Sequence, residues 1–210
     1  MIDPSRRTTV KERVYIDGVP IFRKDSEDVI SLNHEMEAEI IKEVSNRIDD
    51  FDVLLLSDYA KGLLTETLIV DLLLLAKVRK KPIVSDPGLG RVGFFVGCDV
   101  IKPNAKEWQE FVQTHRDETE ALAWLFSQGT IFVVVTHGKN GITCFSEGQQ
   151  VVAAPADEID AVDVTGAGDS VAAIVSLIIG SGKEFVDYLD TLNRVGGLTV
   201  AQSRTSLPKI

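Results

Sequence analysis

A succession of short apolar runs, each closing on a polar residue and each separated by a helical stretch, restricts the fold more than any other feature. Residues 51–56 close on Ser57-Asp58, residues 82–85 on Asp86, residues 100–101 on Pro103-Asn104, and residues 131–136 on Thr136. Runs this short, rich in Val, Ile and Leu, are those of strands covered on both faces. Between them Leu32, Met36, Ile40, Ile41, Val44 and Ile48 recur on one face of a helix over 32–48. Further helices are predicted over 65–78, 104–112, 117–128, 167–180 and 184–202. Alternation of this kind implies an α/β fold of three layers, with helices on both faces of a mostly parallel sheet. Ligands gather beyond the carboxyl ends of such strands, where Asp58, Asp86, Asn104 and Thr136 stand.

Two hairpins accompany this pattern. Residues 10–24 alternate as two strands around Asp17-Gly18, an edge ribbon that needs another sheet beneath it. Residues 142–145 and 150–153 form the second, about Gly148. No repeat or linker divides the chain, so its 210 residues are read as one domain, 1–210.

The formal charge of −10 argues against nucleic-acid or anionic membrane partners, which need a basic surface. The most apolar run, 171–179, is far shorter than the ~20 residues that cross a bilayer. The polar start, Asp3 to Thr9, lacks a signal-peptide core. Cys98 and Cys144 form no spaced metal motif, so a cytoplasmic protein is expected.

Function is most legible in Asp163-Val164-Thr165-Gly166-Ala167-Gly168-Asp169. The glycines leave backbone N–H groups unshielded at the start of a predicted helix, where orphan donors and the dipole attract an anion. Asp169 places a carboxylate in the first turn, beside that anion. Amides that hold a phosphoryl group and a carboxylate that takes a hydroxyl proton together suit phosphoryl transfer. A turn needed only for close packing, with Asp169 as a dipole partner, has the same letters. A dinucleotide fingerprint starting at Gly166 fails, because Val171 stands where its last small residue belongs.

Residues 163–169 resemble the D-x-x-G-A-G-D signature of the ribokinase-like (PfkB) carbohydrate kinases. Three more stretches match in order: Lys102-Pro103-Asn104-Ala105-Lys106-Glu107, Val133 through Gly141, and Leu192-Asn193-Arg194-Val195-Gly196-Gly197. Within the family, the stretches 7–14 and 57–65 are most similar to kinases of a heptose 7-phosphate in lipopolysaccharide precursor synthesis. The resemblance implies a ribokinase-like fold using ATP and Mg2+, with residues 10–24 as a lid-like hairpin. It implies Asp169 as base and Gly166, Ala167 and Gly168 as the anion hole. Asn104 and Glu107 would organise magnesium, Glu107 through water. Thr136, Gly138, Gly141 and Asn193 would lie along the nucleotide, and Asp163 near a monovalent cation.

Nothing in the chain resembles the family's N-terminal portion. An N-terminally truncated kinase is therefore expected, with a homo-oligomer or a partner chain covering the exposed surface.

Asp58, Tyr59, Lys61 and Asp86 are candidates to face the sugar. Arg6, Arg7, Lys11 and Arg13 are candidates for its phosphate, although basic residues on an edge ribbon also deter aggregation. An Asn followed three residues later by Glu is equally the pattern of a capping box, so Asn104 and Glu107 have a structural reading too. Gly141 can serve simply as a turn residue. His34, His115 and His137 share no ligand spacing, and Trp108 and Trp124 are read as core or interface. Two functions stand: a kinase acting on a sugar hydroxyl, and a nucleotide-binding half-kinase that works by association.

Overall fold

The alternating pattern resolves into a six-stranded sheet with helices on both faces, in a computed structural model that describes residues 3–17, 19–147, 149–154 and 166–200. In chain order the elements are β1 (Val10–Ile16), β2 (Val19–Ser26), α1 (His34–Arg47), β3 (Leu54–Ser57), α2 (Glu66–Val78), β4 (Ile83–Asp86) and β5 (Val100–Ile101). They continue with α3 (Ala105–Val112), α4 (Glu118–Ser127), β6 (Phe132–Thr136), β7 (Ile142–Ser146), β8 (Gln149–Ala154), α5 (Ala167–Gly180) and α6 (Leu189–Val200). Strands lie in the order β3-β4-β5-β6-β7-β8. The first four are parallel, and the β7–β8 hairpin closes one side antiparallel.

Period-two alternation divides the core between the two faces. Leu56, Ile83, Ile101, Val133 and Val135 point to one side, against Leu68, Leu72, Trp108 and Leu125 of α2, α3 and α4. Val84, Val100 and Val134 point to the other, against Val171, Val175 and Ile178 of α5 and Leu189 and Leu192 of α6. Both sides of β4, β5 and β6 are therefore dry, as their unbroken apolar runs predict.

Two boundaries differ from the sequence expectation. The strand expected from Phe51 begins at Leu54, because Ile48–Asp50 form a 3₁₀ turn that the Phe51 N–H closes on the Ile48 carbonyl at 3.3 Å. The last helix opens as a separate 3₁₀ turn, Phe185–Tyr188, before α6. The β1–β2 ribbon forms its own two-stranded sheet, bulged between Val14 and Tyr15, and β1 is exposed along its length.

The ribbon's return to the sheet is pinned by backbone. After β3 the chain loops through Gly62, whose carbonyl accepts from the Leu32 N–H at 3.0 Å. Gly62 has φ +83°, and a Cβ there would lie 2.2 Å from the Ile30 carbonyl oxygen, so only glycine fits. No described helix is long and apolar enough to cross a membrane.

Candidate active site

The same alternation that builds the core sorts the polar residues at the strand ends. Asp86 follows Val84 by two residues, Lys102 follows Val100, and Thr136 follows Val134, so all three share the α5 side of the sheet. Asp58 follows Leu56 and so falls on the opposite side. There its carboxylate pairs with the Arg91 guanidinium and accepts the Ala60 N–H at 2.9 Å. Arg91 also donates to the Leu64 carbonyl. Asp58 is thus buried and fastens the 58–64 loop, while it also lines, with Tyr59 and Lys61, a cleft beneath the ribbon.

Helix α5 brings its N-terminus over the strand ends, packing on β3 and β4. Helices α1 to α4 each begin with a side-chain cap, from Asn33, Thr65, Asn104 and Asp117. α5 does not: its N-cap is Gly166 at φ +86°, a left-handed conformation that only glycine adopts freely, and among the described residues no side chain caps its first amides. Gly166, Ala167 and Gly168 are partly accessible and Asp169 is exposed, so the turn opens outward.

Beneath it sits Lys102, only 2% exposed. Its ammonium lies 2.9 Å from Asp86 Oδ1, and a Cβ on Gly168 would stand 3.7 Å from its Nζ. No signal of composition marked Lys102; counting two residues on from Val100 would have found it.

The Asp86 carboxylate pairs with this cation, and Glu107 lies within its electrostatic reach. Burial pushes the Asp86 carboxyl above its ordinary value, with Asp169 adding to the rise while Lys102 opposes it. Burial likewise raises Glu107, helped by the Asp86 charge and opposed by the Asn104 hydrogen bonds and Lys102. Glu107 Oε2 accepts the Asn104 N–H at 2.7 Å, and Asn104 Oδ1 accepts from Lys106 and Glu107 at 2.9 and 3.0 Å. The capping-box geometry is therefore present, and it fixes Glu107 beside Asp86 and Lys102.

Among the described residues no three His, Cys, Asp or Glu side chains are grouped to hold a metal by themselves. The donor set fits magnesium carried on phosphate oxygens and waters, with carboxylates at one remove.

Thr136 bridges to Asn104 across the β5–β6 edge. Gly138 opens the 3₁₀ turn that follows and Gly141 caps it, both at positive φ, and a Cβ built on Gly138 meets open space among the described residues. Asn193 is described only as part of the α6 backbone, and Asp163 lies outside the described residues.

On the far side of Asp169 a cleft of about 520 Å³ runs beneath the ribbon, lined by Arg6, Arg7, Lys11, Tyr59 and Lys61 among others. Its cations are partly compensated: Arg7 by Asp28 at 3.2 Å and Lys61 by Glu27. Arg13 is not among the lining residues. Tyr59 joins cleft to helix, its hydroxyl donating to Asp169 Oδ1 at 2.9 Å.

Comparison with known proteins agrees with this architecture. The model of the pfkB family carbohydrate kinases matches residues 24–210. The chain is 33% identical over 209 residues to the bifunctional protein HldE of Geobacter sulfurreducens, covering 97% of this chain and 43% of that protein. It is 33% identical over 213 residues to HldE of Caulobacter vibrioides, covering 99% and 44%. The chain thus spans less than half the length of these relatives.

Among solved structures, a putative ribokinase II from E. coli in complex with ATP and Mg2+ shares the fold with a TM-score of 0.71 at 18% identity, covering 97% of this chain and 69% of that one. Phosphofructokinase-2 from E. coli in complex with potassium gives 0.71 at 17% identity, covering 88% and 62%. A sheet whose polar strand ends meet an uncapped Gly-Ala-Gly-Asp helix start, together with a family match over most of its length, makes this chain a member of the pfkB family of carbohydrate kinases.

Proposed function

We propose that the chain carries the nucleotide-binding and catalytic part of a kinase that phosphorylates a hydroxyl of a phosphorylated sugar. A heptose phosphate on the route to lipopolysaccharide precursors is the favoured acceptor. One observation carries this reading: the exposed Asp169 carboxylate stands between the uncapped α5 N-terminus, with Lys102 beneath it, and a cleft whose walls include four cationic side chains, Arg6, Arg7, Lys11 and Lys61.

ATP with Mg2+ would supply the phosphoryl group and the divalent charge that offsets its oxygens. The open amides of Ala167, Gly168 and Asp169 and the Lys102 ammonium stabilise charge on the transferring oxygens. As the acceptor oxygen bonds to phosphorus and the bond to the bridging oxygen of ADP breaks, Asp169 takes the hydroxyl proton. Asn104 and Glu107 would organise the magnesium, Glu107 through water, while Asp86 anchors Lys102 and is a candidate to face the sugar. Thr136, Gly138, Gly141 and Asn193 lie along the nucleotide, and Asp163 beside a monovalent cation. Lys61 and the ribbon residues Arg6, Arg7 and Lys11 face the acceptor and its phosphate. With ATP as the donor, the reaction we propose is a cytoplasmic one.

Calorimetric titration with ATP–magnesium, with a coupled ADP-release assay on heptose 7-phosphate, tests the reading. Saturable binding and sugar-dependent ADP release are expected; a chain that binds no nucleotide ends it. A second reading is a nucleotide-binding half-kinase that works by association with a partner. Under it, ATP binds without turnover, and a co-expressed fragment from the relatives' N-terminal portion restores activity.

The surface suggests association in either case. Val10, Val14, Ile16, Val19, Ile21 and Phe22 of the ribbon are each about half exposed, and Val70, Leu74 and Val78 make an apolar stripe along α2. We expect sedimentation velocity to show a homo-oligomer, or a complex with a partner chain in cell extracts. A monodisperse 23.0 kDa species under both conditions would contradict this.

A further inference from the structure

The contact between Tyr59 and Asp169 joins residues far apart in sequence at the point where cleft and catalytic helix meet. Tyr59 sits two residues past β3, on the loop that Gly62 and the Asp58–Arg91 pair hold in place. That loop is fastened to the sheet, so the phenol is presented from a rigid base although the residue is 59% exposed. Its hydroxyl donates to Asp169 Oδ1 at 2.9 Å. A carboxylate in the first turn of a helix is otherwise free to rotate about two side-chain bonds. One fixed donor on Oδ1 selects the rotamer and leaves Oδ2 for the acceptor hydroxyl.

The charged and polar groups facing the phenol come from four elements. Asp169 stands on α5, Asp86 at the end of β4, and Ser57 on β3, while Lys11 of β1 lies over the ring with its Nζ 5.7 Å from the centroid. A cation over an aromatic face is attracted by the ring quadrupole. The ribbon therefore touches the same side chain that holds the base. Partial burial and the Asp169 carboxylate both raise the Tyr59 phenol above its ordinary value, as a donor held against an anion should be.

We infer that Tyr59 is the positioning residue for the Asp169 base, in the way a third group orients the general base of a catalytic triad, and that through Lys11 it ties that orientation to the ribbon. The inference rests on the kinase reading for its catalytic consequence, but not for the pairing itself. Near-ultraviolet titration reads the pairing without any turnover. Of the three tyrosines, one should ionise above the ordinary range. That component should vanish in Tyr59→Phe and move down in Asp169→Asn.

In the ADP-release assay Tyr59→Phe, which keeps the ring, should lower kcat on the order of 10-fold or more, as loss of a hydrogen bond to a charged group would. KM for the sugar phosphate and the ATP affinity should stay within about twofold, because only the transition state needs the oriented carboxylate. Lys11→Met should lower kcat less than Tyr59→Phe does. An unchanged kcat in Tyr59→Phe, or a phenol titration indifferent to Asp169→Asn, overturns the inference. An intact titration signature in a chain with no turnover leaves the pairing standing and sinks the kinase reading of the isolated chain instead.

Discussion

Asp169→Asn is expected to lower turnover on the order of 10²- to 10⁴-fold, the range a positioned general base contributes, while leaving ATP–magnesium affinity nearly unchanged. The asymmetry follows from position. Asp169 is exposed at the cleft end of the α5 turn, whereas a nucleotide would be gripped by the amides of that turn and by the residues at the ends of β5 and β6. The substitution keeps size and hydrogen-bonding capacity but cannot accept a proton at neutral pH. Its fold cost is small, because an exposed first-turn carboxylate contributes a few tenths to about 1 kcal/mol through the helix dipole. Calorimetry and the ADP-release assay on one preparation separate the two effects. Undiminished turnover would remove Asp169 from the mechanism, and lost nucleotide binding would assign it to the phosphate grip.

Lys102→Met carries the second large effect, and it acts on two quantities. The ammonium is almost wholly buried, 2.9 Å from Asp86 and under Gly168. Breaking a buried ion pair by removing one partner leaves an uncompensated charge, at a cost of about 3–5 kcal/mol. Here the stranded Asp86 carboxylate would also face Asp169 and Glu107, so urea denaturation should show a loss near that range. Turnover should fall on the order of 10²-fold or more, the loss typical of a donor that stabilises transition-state charge. The double variant Lys102→Met/Asp86→Asn removes both charges. It should recover most of the stability and none of the turnover. Recovery of both would make the pair purely structural.

The path from sequence to site was uneven for reasons that particular residues make clear. Helices α1 to α4 carry their own start signals in Asn33, Thr65, Asn104 and Asp117, and the buried strands declare themselves by length and composition, so element type and order were legible. Gly166 and Gly168 were legible as a turn with accessible backbone at the start of an apolar helix, a pattern shared by anion sites and by close packing. Asp58 is legible as a strand-end residue, but proximity to a strand end does not say which face a side chain takes; only the folded sheet shows that it pairs with Arg91 while lining the cleft. Nothing local singles out Lys102, because a lysine is ordinarily solvated; only the packing of α5 over the strand ends buries this one.

Local chemistry in the sequence, then, determined the strands and helices, their alternation, and the amide-rich turn with its carboxylate, since each depends on residues close along the chain. The pairing of Tyr59 with Asp169, the burial of Lys102 against Asp86, and the ion pair of Asp58 with Arg91 were decided only by tertiary structure. These contacts depend on which sheet face each strand end presents and on where α5 crosses it. Such geometry is set by the packing of the whole core, and no local pattern encodes it.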